Sequence, residues 1–444
     1  MQHPDSGLPA GPAAAIALNL PAGAVIPSRR AVIARRALQG ALVLGVLADV
    51  LLRDGPWGIG LLVWMVLFAT VSIALARKRG EPLTRESWTW LGIAVLFAGG
   101  LSWRDAEMLR FFNVLAMLAA LVLLVMSVDT VSLPALAAAR VRDLIRAAFE
   151  TGIDAGTGVI PLLMRDADLQ SAARTGSDRS ARRIGRAALI AAPIFFVFAL
   201  LLTRADPVFG SFLEFLDVDF DVLMSHIVIT GFFAWIVAGW LRRSFVVNSR
   251  SERMADSLIP FTLGATDVVL VLGALNVLFA VFVLVQIGSL FGGEAWVLKT
   301  TGLSFAEYAR RGFFELTVVA GLLLAVLLSV QALIPAAESR TLRNYRRLAV
   351  PLVLLLGAVI FSAGARMKLY MHYYGLSVDR VYATAFMTWL AFVFVWFAAT
   401  VLRSRPRAFA TGLVVSAFVV LFTLNVMDPD ALVARENLAR LDVQ

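Results

Sequence analysis

Two stretches of this chain carry side chains whose types and spacing suit the capture of an anion. The first, Leu290 to Leu316, reads LFGGEAWVLKTTGLSFAEYARRGFFEL and contains Glu307, Tyr308, Arg310, Arg311 and Glu315. Ser304, followed three residues later by Glu307, has the form of a helical capping box. In the helix that follows, Glu307, Arg311 and Glu315 recur every four residues and share one face. The second stretch, Ala365 to Tyr382, reads ARMKLYMHYYGLSVDRVY. There Arg366, Tyr370 and Tyr374 are again four apart, Gly375 is placed as a helix stop, and Arg380 opens the next helix. Guanidinium forks hold phosphate or carboxylate in a bidentate way, and tyrosine hydroxyls add donors. Convergence of the two stretches would make a site for an anionic lipid or a small anionic solute. The same pattern has a plainer outcome, in which Glu307, Glu315 and Asp379 neutralise the arginines as structural ion pairs.

A second group of polar residues falls inside apolar runs: Asp267, Asn276 and His226, together with Asp49 and Asp129. An acid at the centre of a bilayer costs on the order of 2.5–3.5 kcal/mol, so it faces protein, water or a partner. All of these acids lie near span ends, where a nearby arginine can pair with them. Asp267, Asn276 and Gln286 fall on different faces of one helix, which argues against a single polar stripe. His226 reads as a hydrogen-bonded interfacial histidine or as a proton carrier. The chain has no cysteine and only three histidines, His3, His226 and His372, far apart in sequence. Disulfides, thiol nucleophiles and Cys-ligated metals are thereby excluded, and no metal site or cofactor is expected. No metalloprotease, serine-hydrolase or phosphate-loop motif is present, so the sequence leaves open whether the protein is an enzyme.

The elements that must position these residues are membrane helices. Of the 444 residues, 60% are hydrophobic, too many for a soluble chain of this length. Crossing the hydrocarbon takes about 20 apolar helical residues, and backbone amides in lipid must bond internally. About 11 stretches meet that length: 34–52, 56–76, 87–103, 111–131, 187–203, 223–241, 264–290, 312–334, 350–364, 382–402 and 408–427. The first, third and ninth are short or interrupted. Lys and Arg number 40 against 31 Asp and Glu, a net charge of +9. With the N-terminus inside, most of the 40 fall in inner segments, the asymmetry that sets orientation in membranes. The basic excess therefore needs no nucleic acid, for which no motif appears. The expected fold is an all-α polytopic transmembrane bundle, N-terminus inside and C-terminus outside, in the bacterial cytoplasmic membrane.

Four regions follow. Residues 1–27 read as a disordered cytoplasmic tail, 28–131 as spans one to four, and 132–186 as a cytoplasmic amphipathic and basic segment. Residues 187–444 hold the remaining seven spans with their outer loops and tail. Within 132–186, Val141, Leu144, Ile145, Ala148 and Phe149 recur at helical spacing among Arg140, Arg142, Asp143 and Arg146. That pattern predicts a helix lying along the inner leaflet.

LFGG, AEYARRGFFEL and RMKLYMHYYGLSVDRVY, with Trp389, resemble the bacterial membrane proteins of domain-of-unknown-function family number 4173. The closing segment NVMDPDALVARENLAR, Asn425 to Arg440, is similar to that family's C-terminal pattern, in which Asn-Pro-Asp precedes Ala and a later Asn-Leu. Here Asp428 stands at the first of those positions. The resemblance covers about residues 265–440 and implies a polytopic membrane protein, with no catalytic residues to carry over. Three functional readings stay open. The first is a transporter-like protein with an outer-face anion or lipid-phosphate site. The others are an envelope enzyme acting on a lipid-linked substrate at that face, and a membrane sensor or assembly factor whose protein partner is unknown.

Overall fold

The computed structural model describes residues 28–53, 57–129, 134–167, 220–247, 262–291, 313–335 and 338–441. Among them the regular structure is all helical. The order is α1 (Arg29–Leu52), α2 (Trp57–Arg79), α3 (Arg85–Trp103), α4 (Glu107–Val128) and α5 (Val141–Thr157). Then come α6 (Phe220–Leu241), α7 (Ala265–Phe291), α8 (Phe313–Leu333), α9 (Ser339–Tyr374), α10 (Val378–Thr400), α11 (Pro406–Met427) and α12 (Pro429–Leu441).

Local chemistry sets where these helices begin and end. The Ser28 hydroxyl accepts from the Ala31 N–H at 3.2 Å and the Thr84 hydroxyl from the Ser87 N–H at 3.1 Å, each satisfying an orphan donor of a first turn. Pro406 opens α11, where its missing N–H costs nothing. Gly80 and Gly375 stop α2 and α9 at φ of 77° and 74°, a region that penalises any side chain.

Nine of the described helices are long and apolar enough to cross a membrane. Large apolar side chains such as Leu42, Val50, Leu270, Leu284, Leu354 and Val395 stay exposed along them, as lipid-facing positions require. Against the sequence reading, the third stretch forms a helix of 19 residues, α3, whose polar content keeps it out of those nine. The fifth, 187–203, lies outside the described residues. The ninth, read as 350–364, is the centre of a much longer helix, 36 residues in α9. At 1.5 Å per residue, α9 runs to about 54 Å, well beyond the roughly 30 Å hydrocarbon layer. Its arginine-rich start and tyrosine-rich end continue the helix into the two interfaces, where side chains snorkel.

Spanning helices adjacent in the chain run in alternate directions, except α4 and α6, which both run from the same end, so the described segments gather at two ends. One, the basic end, collects Arg29, Arg79, Arg85, Arg140, Arg242, Arg340 and Arg405. The other, the distal end, collects Arg53, Arg104, Ser225, Gly375 and Asp428. Cross-links fix the alignment. The Trp64 indole donates to the Leu44 carbonyl at 2.8 Å, the Leu263 N–H to the Leu333 carbonyl at 3.1 Å, and the Trp396 indole to the Ala408 carbonyl at 3.1 Å.

The apolar interior forms two main bodies. One is built by α1 to α6, around Leu44, Met65, Leu124 and Leu241. The other is built by α7 to α10 and the start of α11, around Leu272, Leu327, Tyr345 and Phe397. α11 joins them. Its Phe418 packs on Trp90 and Phe97, while its Phe409 meets Phe397 edge-on.

At the basic end, two adjacent arginines of the π-helical turn after α6 tie the first body together. Arg242 and Arg30 each hold the buried Asp166 at 2.7 Å. Arg243 reaches Glu150 at 2.9 Å, Asp129 at 3.3 Å and Asp154 at 3.5 Å. α5 thus turns Glu150 and Asp154 to the bundle and leaves Ile145, Phe149 and Ile153 exposed on its far side.

Candidate functional site

The densest polar geometry lies at the distal end, where the α3–α4 turn meets the corner between α11 and α12. α3 stops at Trp103, and Arg104 leaves in an extended conformation, its N–H donating to the Gly100 carbonyl at 3.1 Å. Extension throws the Arg104 side chain across to α11, where Nε donates to the Asn425 carbonyl at 3.0 Å and Nη1 pairs with the Asp428 carboxylate. The guanidinium also lies over the Trp103 ring, 5.0 Å from its centroid. Asp105 pairs with Arg110 at 2.7 Å.

Asp428 makes the corner. It sits in the left-handed region, φ 53°, which Asp and Asn tolerate better than other side-chain-bearing residues. Its carboxylate accepts from the Ala431 N–H at 3.2 Å, capping α12, and Pro429 takes the first helical position. Either Asp or Asn can do this much. The charge of Asp adds the pairing with Arg104.

Below the corner, Asn113 of α4 and Asn425 of α11 exchange amide hydrogen bonds of 2.9 and 2.8 Å while buried. Gly100 makes room for them. A Cβ there would stand 2.9 Å from the Asn113 amide nitrogen and 3.0 Å from the Asn425 amide oxygen. Beside the corner, Asn437 of α12 grips the Gly375 turn. Its Oδ1 accepts from the Leu376 N–H at 3.0 Å and its Nδ2 donates to the Leu376 carbonyl at 2.8 Å.

These elements enclose a surface cleft of about 370 Å³, lined by Trp103, Arg104, Asp105, Ala106, Leu109, Asp428, Pro429 and Asp430. Tyr382 of α10 stands behind it, packed with Leu109 and Leu424. Its residue exposure is 8%, and its hydroxyl has no hydrogen-bond partner. A crevice between α8, α9 and α10 admits only about 10 Å³ and is mostly apolar.

The residues singled out from sequence are placed as follows. Glu307, Tyr308, Arg310 and Arg311 lie outside the described residues. Glu315 opens α8 at the distal end and is exposed. Tyr370, Tyr374 and Arg380 come together. The two tyrosine rings stand 5.1 Å apart and the Arg380 guanidinium lies 4.2 Å from the Tyr370 centroid. Arg380 also donates to the carbonyls of Tyr374, at 3.1 Å, and Gly375. It therefore seals the C-terminus of α9, where a cation meets the negative end of the helix dipole. Arg366 is half-buried one turn earlier on the same helix.

Asp267 is at the basic end, its carboxylate accepting from the Gly264 N–H at 2.9 Å as a helix cap. Asn276 donates to the carbonyls of Leu272, at 2.7 Å, and Leu348, at 2.9 Å. The second bond lies in the turn disturbed by Pro351, which withholds an N–H from the α9 ladder. His226 donates through Nδ1 to the buried Asp49, which Arg53 also holds through Nε at 3.1 Å. Arg104, Asn113 and Asp428 were not singled out by type and spacing. The signal available was the closing segment from Asn425, but its partner lies more than 300 residues upstream.

Lipid-facing apolar surfaces, spans of membrane length and polar groups paired or gathered at the two ends define an integral, multi-pass membrane protein of helical architecture. The chain belongs to the family described as Domain of unknown function (DUF4153), whose model matches residues 91–444. The family number is thus 4153, not the 4173 that the resemblance suggested, and the match begins in α3 instead of near residue 265. No curated protein and no solved structure matches the chain.

Proposed function

We propose that this is a protein of the bacterial cytoplasmic membrane, N-terminus inside and C-terminus outside, that holds a polar ligand of headgroup size at its distal, outer face. The observation that carries this reading is the cleft of about 370 Å³ between the α3–α4 turn and the α11–α12 corner. It is open, its wall alternates charged and apolar groups, and it sits at helix ends where lipid headgroups and soluble solutes both reach. Two lines support the orientation. The described parts of the inner segments assigned by charge fall at one end of the bundle. The chain also stands at the basic end at Ala167 and at the distal end at Phe220, the parity that an odd number of spans requires. The transporter-like and envelope-enzyme readings share this first step, capture at the outer face.

The absence of cysteine from the sequence makes the test direct. Asp105→Cys is expected to react with a membrane-impermeant maleimide in spheroplasts, and Arg340→Cys only after the membrane is opened. Added phospholipid is expected to slow the Asp105→Cys reaction in delipidated protein. Labelling with the opposite sidedness, or a rate that no lipid or solute alters, overturns the reading.

A further inference from the structure

At the basic end the two apolar bodies treat their arginines differently. In the first body the cations meet acids. Arg30 and Arg242 share Asp166, Arg243 serves Asp129, Glu150 and Asp154, and Arg79 reaches Glu81 at 2.9 Å. In the second body they do not. Arg340, Arg343, Arg346 and Arg347 open α9, and Arg403, Arg405 and Arg407 surround the α10–α11 turn. The two groups meet where Arg346 Nη2 donates to the Ser404 hydroxyl. Beneath them Tyr345, Phe397 and Phe409 share one core. None of these arginines has a carboxylate within salt-bridge distance among the described residues. The one acid of the two segments, Glu338, accepts from the Thr341 hydroxyl at 2.7 Å. All of the arginines except Arg346 are exposed.

Orientation in a membrane needs basic residues at this end but does not need them gathered in one place. Gathering like charges costs energy. So does putting them on the first turns of α9 and α11, where the helix dipole favours acids and neither helix has one. A bound anion offsets both costs. The surface of α9 shows which kind of anion fits. At 100° per residue Arg343, Arg347, Val350, Leu354 and Phe361 fall within an arc of about 60°. All five are exposed, while Tyr345, Ala349 and Leu352 on the opposite side are buried. A stripe with guanidinium at its head and hydrocarbon beyond has the polarity of a phospholipid. The guanidinium forks suit phosphate oxygens, and a soluble phosphate would meet them alone, whereas a lipid uses both parts of the stripe. We infer that the start of α9 and the α10–α11 turn hold the phosphate headgroup of an acidic phospholipid, with an acyl chain lying along α9. This site is at the opposite end from the cleft. It rests on the orientation proposed above only for the leaflet, the inner one, that supplies the lipid.

The experiment offers the full-length protein an equimolar mixture of phosphatidylglycerol, cardiolipin, phosphatidylethanolamine and phosphatidylcholine in mixed micelles. Native mass spectrometry then reads which lipids are retained. The expected result is retention of the two acidic lipids over the other two. Arg343→Gln combined with Arg347→Gln should lower that retention about tenfold. Arg77→Gln combined with Lys78→Gln removes the same charge from the exposed last turn of α2, at the same end, and should leave retention nearly unchanged. Arg343→Lys combined with Arg347→Lys keeps the charge, loses the planar forks and should fall between the two. A second arm adds inorganic phosphate or glycerol phosphate, which have no acyl chain. Acidic lipid that they fail to displace supports the inference. Displacement by either as effective as by phosphatidylglycerol assigns the arginines to a soluble phosphate and overturns it. No preference for acidic lipid, or an equal loss in the α2 variant, overturns it as well. Micelles have no sides, so these outcomes do not depend on orientation, which the maleimide labelling decides separately.

Discussion

Single residues at the distal end are constrained by close approach more than by catalytic chemistry. Gly100 is the sharpest case, because two buried amides occupy the space a methyl group would need. Gly100→Ala is expected to lower stability by about 1–3 kcal/mol, the range for overpacking a well-filled interior. Gly92, eight positions earlier on α3, has nothing within 4 Å of its Cβ direction. Gly92→Ala is therefore expected to be neutral or slightly stabilising. Thermal unfolding of the two variants in one detergent checks the contrast, and equal behaviour would remove the amide pair as the reason for the glycine. Of the aromatic and basic residues picked out by spacing, Tyr370, Tyr374 and Arg380 do meet. The helical period places the tyrosines on one face, and the Gly375 turn brings Arg380 back over them. The period does not reveal that Arg380 spends its donors on two backbone carbonyls.

The elements themselves show where amphipathic patterning is enough and where it falls short. α5 was legible as an amphipathic helix from Val141, Leu144, Ile145, Ala148 and Phe149. What sequence left unseen is that two of its acids, Glu150 and Asp154, face inward onto Arg243. Arg243 is only 11% exposed and serves three carboxylates at once. Arg243→Gln removes the cation that Asp129, Glu150 and Asp154 share, while Glu150 keeps Arg146 at 2.6 Å, at an expected cost of about 3 kcal/mol, the low end for breaking a buried pair because Glu150 and Asp154 are partly exposed. Hydrogen exchange should then accelerate across α5 while α2 and α3 keep their protection. Uniform acceleration would mean that Arg243 supports the whole bundle and not the docking of α5. α9 teaches the converse. Its apolar core alone looked like a short span, yet helical bonding continues through Arg340 and Arg343 at one end and to Tyr374 at the other, since the interfaces impose no break.

At the scale of the molecule, two apolar bodies are joined by α11, and the polar bonds Arg104–Asp428 and Asn113–Asn425 tie the far end of α11 to the first of them. If these contacts suffice, residues 1–250 and 251–444 expressed as separate chains should assemble and co-purify from the membrane. Arg104→Ala combined with Asn425→Leu should reduce the yield of complex several-fold. Co-purification unaffected by that pair of changes would place the joint in apolar packing alone.

Composition, the length of apolar runs and the one-sided spread of arginine were enough to establish a helical, membrane-spanning chain, because lipid forbids unpaired backbone and leaves few alternatives. Local spacing likewise announced the Gly375 stop and the tyrosine face of α9. Which polar groups meet was decided only by tertiary structure. Arg104 finds Asp428, and Asn113 finds Asn425, across most of the sequence, since a hydrogen bond acts over about 3 Å of space and carries no mark of its partner's position along the chain.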